Sequence, residues 1–425
     1  MLKKDENVLP KSFLSLQLAI KHPLSSLFPM SDTLIVERTP DLPFGLRADR
    51  VAVSLLFLAN GFLIGSWAPK IPLLMARLGI TETTMGLLIL VFGLGSILMM
   101  PVIGALTARY GSAPVLRIVS VIVLPLLLAV SILPELWMIV VAIFLFGGFV
   151  GGMDVAMNAN AVAVEKRMRK AIMSSCHGFW SLGGLIGAGL GGFMASLWGE
   201  IGHGVALTIL ASTAVFLALP MIARDHTTAA IRAAQPLRMP RSPLPYLIGI
   251  MALFSMVPEG TILDWAAHYL QSEMSADISI ASLGFAAFSG TMAIMRFLGD
   301  GIRQRLGAVT TLRISAAFAI TGLFVGALAP TPFAAIAGFA FAGIGIANMI
   351  PIAFSAAGNI PGVAPGIGLS VVTVMGYSGI LMAPGVIGFI GERTGFSPVF
   401  MGVASLILVT LALSGLARHA DFKPD

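Results

Sequence analysis

The sequence predicts an all-α integral membrane protein of twelve transmembrane helices in two pseudo-symmetric six-helix bundles. Three observations carry this. The chain is 57% hydrophobic and only 11% charged, with a mean hydropathy of +0.94, whereas a soluble domain is about 25% charged. From Val51 onward the sequence breaks into twelve apolar stretches, each matching the roughly 20 residues needed to cross a hydrocarbon core. The connections are alternately basic and nearly uncharged. Loops two, four, six and eight carry Arg109 and Arg117; Lys166, Arg167, Arg169 and Lys170; Arg224, Arg232, Arg238 and Arg241; and Arg303, Arg305 and Arg313. The odd-numbered loops carry only Arg77 and Arg393. Lys and Arg are retained on the cytoplasmic side of a membrane. The alternation therefore requires an even number of spans, with both termini in the cytoplasm.

Residues 1–50 hold seven basic and six acidic side chains and several prolines, with no apolar run long enough to span. They read as a disordered cytoplasmic tail in which Met30 is an alternative start. The N-terminal bundle, 51–222, takes spans at 51–76, 84–107, 114–133, 137–163, 173–198 and 204–222. A polar, proline-rich linker follows at 223–243, with Pro236, Pro240 and Pro243. The C-terminal bundle, 244–417, takes spans at 244–270, 279–301, 309–329, 332–357, 366–391 and 397–417, and a short cytoplasmic tail, 418–425, ends the chain. Helix is the secondary structure for all twelve, because backbone in lipid must satisfy its own hydrogen bonds.

The halves repeat at an offset of 196 residues. Arg109, Gly111 and Arg117 match Arg305, Gly307 and Arg313; Gly192 and Phe193 match Gly388 and Phe389; Gly199 matches Gly395. Duplication explains the shared spacing, and two parallel six-helix repeats are a known transporter plan.

The loop after span two reads GALTARYGSAPVLR (Gly104 to Arg117), and the stretch after span eight reads RFLGDGIRQRLGAVTTLR (Arg296 to Arg313). Both resemble the G-x-L-A-D-R-x-G-R-R signature of the major facilitator superfamily. The first copy departs from it: Ala108 stands at the Asp position, and Ser112 and Ala113 replace the paired basic residues. The resemblance implies a charge-linked cytoplasmic gate built on Gly104, Arg109, Gly111, Asp300, Arg305 and Gly307. Glu165, at the cytoplasmic end of span four, would pair with Arg109 in place of the missing acid. Three further stretches, GGMDVAMNANAVAVEKR (Gly151 to Arg167), MSSCHGFWSLGGLIGAG (Met173 to Gly189) and PEGTILDWAAHYL (Pro258 to Leu270), resemble a YbjJ/MosC-like bacterial subgroup of that superfamily. That subgroup is distantly similar to sugar permeases of the fucose type.

Polar groups inside a span are costly and mark pathways or coupling sites by default. Glu259 lies near the middle of span seven, directly after Pro258. Proline removes a helical hydrogen bond, so a break or kink is expected there. A carboxyl facing a cavity can take up and release a proton, which coupling requires; the plainer reading is a structural carboxyl bonded between helices. Asp154 and Asn158, four residues apart, share a face of span four, and Asp154 is the second proton candidate. Interhelical bonding is the alternative for Asn158. His177, on span five near Trp180 and Ser181, is a third, because His titrates near neutral pH; a hydrogen-bonded packing role is the alternative. Asn60 and Trp67 are seven apart on span one and share a face. Asp264 and His268 are four apart near the outer end of span seven and form a local pair. Asn348 and Tyr377 lie on spans ten and eleven. Spans one, four, seven and ten line the cavity in the resembled superfamily, which implies cavity positions for Asn60, Asp154, Glu259 and Asn348. Trp67, Asn158, Trp180, Asp264 and Tyr377 are further cavity candidates. Gly183, Gly187 and Gly191 repeat every four residues on span five and read as packing that lets the halves rock.

Absences narrow the function. No Lys or Arg is placed at mid-membrane, Lys70 and Arg296 being assigned to span ends, so a neutral or cationic solute is preferred over an anion. There is no Walker loop and no cysteine–histidine metal cluster, so neither a nucleotide, a metal nor another cofactor is expected. Nor is there a nucleophile–base pair for an intramembrane enzyme. The net charge of +6 is the positive-inside bias, so no nucleic-acid partner is called for. Cys176, the single cysteine, cannot form an internal disulfide and reads as a packing residue. The expectation is a monomeric secondary transporter in the bilayer, moving a small polar solute (a sugar, polyol or derivative) with protons. Export of amphipathic compounds and a non-transporting sensor are the rival readings.

Overall fold

In the computed structural model of the protein, residues 41–42, 46–67, 70–225 and 240–421 are described. Most of the tail 1–50 and most of the linker lie outside them. Two short strands, Asp41–Leu42 and Leu46–Arg47, pair antiparallel before the first helix. The other elements among the described residues are helices.

Span 1 is built from Ala48–Gly65 and Lys70–Leu78, span 2 from Glu82–Tyr110, and span 3 from Ser112–Ile122 and Leu126–Ile132. Span 3 breaks beside Pro125, which has no N–H to continue the ladder. Span 4 is Leu136–Met168, span 5 begins at Met173, and span 6 runs to Ala218 with a closing turn at Leu219–Met221. Spans 7, 8 and 9 are Leu244–Ser272, Ile278–Leu306 and Ala308–Ala327. Span 10 comprises Pro332–Ile346 and Met349–Ala357. Its break at Ala347 and Asn348 precedes Pro351, whose nitrogen cannot donate to Ala347. Span 11 is Pro365–Thr394, and span 12 is Phe396–Ala412 with the turn Ser414–Ala420. Of the break or kink expected at Pro258, the break is not found: span 7 is one continuous helix with Pro258 inside it.

The duplication is visible in the joints. Gly111 and Gly307 join spans 2 to 3 and 8 to 9 with φ of 87° and 78°. Gly199 and Gly395 join spans 5 to 6 and 11 to 12 with φ of 67° and 82°. Each turn needs a left-handed residue, which glycine supplies without Cβ strain. Asp225 accepts from the backbone N–H groups of Ser112 and Ala113 at the start of span 3. Asp421 does the same for Ala308 at the start of span 9. All these pairs stand 196 residues apart. The acids also complement the positive helix ends they cap.

Packing follows the same symmetry. Span 1 packs on span 5 and span 2 on span 4; span 7 packs on span 11 and span 8 on span 10. Across the halves, span 2 meets span 11 and span 5 meets span 8. Gly183 and Gly187 lie against the span 1 backbone at Leu58 and Phe62. That part of the stripe therefore tightens the N-terminal half internally and does not act as a rocking surface between halves. Gly104 carries close approach across the halves instead, seated on Gly366 and Ser370 of span 11.

Candidate functional site

Ion pairs at mid-span. Glu259 is the sixteenth residue of the 29-residue span 7, and its Oε2 lies 3.3 Å from Nη2 of Arg296 on span 8. Arg296 is only 4% exposed. It sits four residues past the centre of its span, roughly 6 Å at 1.5 Å per residue. The expectation of no buried cation at this depth is therefore corrected. The span expected at 279–301 continues to Leu306, which sets Arg296 further from its inner end. Its other terminal nitrogen, Nη1, donates to Ser181 Oγ on span 5 at 2.6 Å, so the guanidinium joins the two halves at the centre. His177 is in electrostatic contact with Arg296. It is wedged between the rings of Phe57 and Phe354, at 5.2 and 5.6 Å, and its Nε2 is buried without a partner.

Asp154 faces the same region from span 4. Its Oδ1 accepts from Asn158 Nδ2 at 3.2 Å, confirming that the two share a face, and its Oδ2 is buried without a partner. Tyr377 on span 11 lies within electrostatic range of Asp154, Glu259 and Arg296. Spans 4, 7, 8 and 11 thus bring these charges around one tyrosine.

The remaining candidates separate from this centre. Asn60 is a brace: its Nδ2 donates to the Val150 carbonyl at 3.2 Å and its Oδ1 accepts from Trp180 Nε1 at 3.0 Å, tying span 1 to spans 4 and 5. Trp67 lies beyond the end of Ala48–Gly65, so the shared face with Asn60 is lost; it stacks on Phe92 at 6.4 Å. Asn348 is buried against Gly299 of span 8. Asp264 is exposed. His268 packs edge-on to Trp265 and Phe396, at 6.0 and 5.1 Å, and no ion pair to Asp264 is found among the described residues.

The gate at the basic end differs from the expected one. Glu165 does not pair with Arg109, which is exposed and lies over its neighbour Tyr110 at 5.3 Å. Glu165 is fully buried and accepts from Arg303 Nη1 at 2.8 Å and from Ser355 Oγ at 2.6 Å. It also accepts from the backbone of Ile172 and Met173 at the start of span 5. Arg303, which matches Thr107 at the 196-residue offset, takes the role foreseen for Arg305, which is exposed. Asp300 accepts from the backbone of Ser174 and Ser175, both at 2.9 Å, and from the Ser175 hydroxyl. Lys166 donates to Gly358 O at 3.3 Å. Every one of these bonds from Arg303, Ser355, Asp300 and Gly358 crosses between halves, so the basic end is closed.

A groove of about 500 Å³ between spans 7, 11 and 12 is lined by apolar side chains such as Leu253, Met382, Val386 and Leu406, with Ser378 as the polar exception. It contains none of the candidate residues, so the charges define the site.

The sequence profile of the Major Facilitator Superfamily matches residues 53–363. The chain belongs to the major facilitator superfamily. Its relatives include an uncharacterised MFS-type transporter of Yersinia pestis, 33% identical over 377 residues, covering 87% of this chain and 96% of the relative. The uncharacterised transporter y4wD of Sinorhizobium fredii is 34% identical, covering 84% and 95%. The membrane protein MosC of Rhizobium meliloti is 30% identical, covering 90% and 93%. Among solved structures, the Escherichia coli fucose:proton symporter FucP superposes with a TM-score of 0.71 at 14% identity, covering 87% of this chain and 98% of FucP. A second FucP structure, in the outward conformation, gives the same TM-score. The human organic anion transporter MFSD10 gives 0.66 at 16% identity, covering 86% and 99%. The chain is accordingly a multi-pass membrane transport protein and not an enzyme.

Proposed function

We propose that the protein is a secondary active transporter of a small polar solute, coupled to protons and working as a monomer by alternating access. The observation that carries this is the Glu259–Arg296 pair near mid-span, its guanidinium buried and bonded onward to Ser181 of the opposite half. An ion pair inside a membrane is stable only while both charges are present. A proton on Glu259 removes one of them and frees Arg296 from its carboxylate. Because the same guanidinium holds Ser181, proton load is felt directly at the junction between halves. FucP, which shares the fold, is a proton symporter by its name, which supports the coupling.

The basic end is the cytoplasmic end and both termini lie there, which the charge-sorted loops support; the membrane is the bacterial inner membrane, which the bacterial relatives support. Asp300, Glu165 and Arg303 close the cytoplasmic side in this state. The test is Glu259→Gln in proteoliposomes. Accumulation driven by a pH gradient is lost, while solute exchange without a gradient persists. Undiminished uphill transport in this variant rejects the coupling role.

A further inference from the structure

We infer that the transported solute is a zwitterion, held by its ammonium group on Asp154 and by its carboxylate on Arg296. This rests on the proton-coupled reading above and adds the charge of the cargo.

The two binding groups are unsatisfied in complementary ways. Asp154 is 4% exposed, its Oδ2 has no partner, and among the described residues no Lys, Arg or His pairs with it. A buried carboxylate without a cation is costly, and Asn158, a neutral donor, offsets only part of that cost. Arg296 has the opposite deficit. Its terminal nitrogens are engaged, but Nε is buried without an acceptor. Its one anionic partner, Glu259, is also the most accessible of the central charges, with 23% of its side chain exposed. Asp154, Glu259 and Arg296 stand within electrostatic range of Tyr377, Asn158 and Ser181 bond to the first and last of these charges, and His177 lies within electrostatic range of Arg296.

The charge count selects the ligand. With Asp154 and Glu259 both ionised, the centre holds two carboxylates and one guanidinium. When Glu259 takes a proton, one unpaired carboxylate and one unpaired guanidinium remain, on spans from opposite halves. A polyol satisfies neither charge. A lone amine leaves Arg296 bare, and a lone acid leaves Asp154 bare. A molecule with both groups satisfies both when the proton arrives, its carboxylate replacing that of Glu259. Solute and proton are then bound together because each makes room for the other.

The experiment uses the full chain in proteoliposomes with an internal pH dye. The solutes are L-serine, β-alanine and γ-aminobutyrate, with ethanolamine, lactate and glycerol as analogues lacking the carboxylate, the ammonium or both. At least one amino acid drives saturable proton uptake. Its analogues bind at least about tenfold more weakly, the loss of one charge-assisted hydrogen bond. Asp154→Asn weakens the amino acid by a similar factor with unchanged thermal stability; if that variant misfolds, the analogue series on the unaltered protein still decides. Proton uptake driven equally well by glycerol, ethanolamine or lactate overturns the zwitterion and leaves proton coupling standing. No proton movement with any of these solutes overturns the coupled reading and this one with it.

Discussion

Asp300→Asn isolates the gate. Each bond recorded for the Asp300 side chain crosses from span 8 to the first turn of span 5: two from backbone N–H groups at 2.9 Å and one from the Ser175 hydroxyl. The amide keeps one acceptor oxygen and loses the charge. Hydrogen bonds to an ionised acceptor contribute about 1.5–3 kcal/mol each and neutral ones about 1, and the relief of burying a charge offsets part of the difference. The net weakening of the closed gate is about 1–3 kcal/mol, or about 5- to 150-fold in the ratio of closed to open forms. Cys176, the chain's single cysteine, is fully buried one residue beyond Ser175 and reports this ratio. In inside-out vesicles, a membrane-impermeant maleimide labels Cys176 slowly in the unaltered protein and faster in Asp300→Asn by that factor. An unchanged labelling rate in a variant of unchanged melting temperature refutes the gate assignment.

Other variants probe the frame. Asn60→Ala leaves the Val150 carbonyl and the Trp180 N–H without the bonds they make now; it destabilises the protein by about 2–6 kcal/mol, at about 1–3 per orphaned buried group, read as a lower melting temperature in detergent. Gly307→Ala forces a Cβ into a left-handed turn at φ 78° and costs about 1–2 kcal/mol. Gly111→Ala, at the matching joint, gives a similar shift; a loss at one glycine alone breaks the symmetry argument.

The halves were legible because glycines and loop arginines are local signals. The 196-residue offset seen at Gly111, Gly199, Gly307 and Gly395 recurs in the structure with the same backbone geometry. The Asp225 and Asp421 caps obey it too, but nothing in their local sequence announces a helix start more than 100 residues away. Glu259 stood out because a mid-span acid is expensive. Its partner did not, because the depth of Arg296 depends on where span 8 ends and the pairing depends on how two helices are rotated. The same blindness to rotation assigned Glu165 to Arg109, when the closing of the halves presents Arg303. Asn60 and Trp180 looked like lining and are bracing, because a polar side chain facing inward fits either role until its partner is seen.

The four glycine joints have a practical consequence. Each connects two spans through a single residue, leaving no slack to absorb added chain. Tags, reporter domains or protease sites placed at residues 111, 199, 307 or 395 would wedge paired helices apart. The same economy leaves a binder such as an antibody fragment little to grip at those four turns.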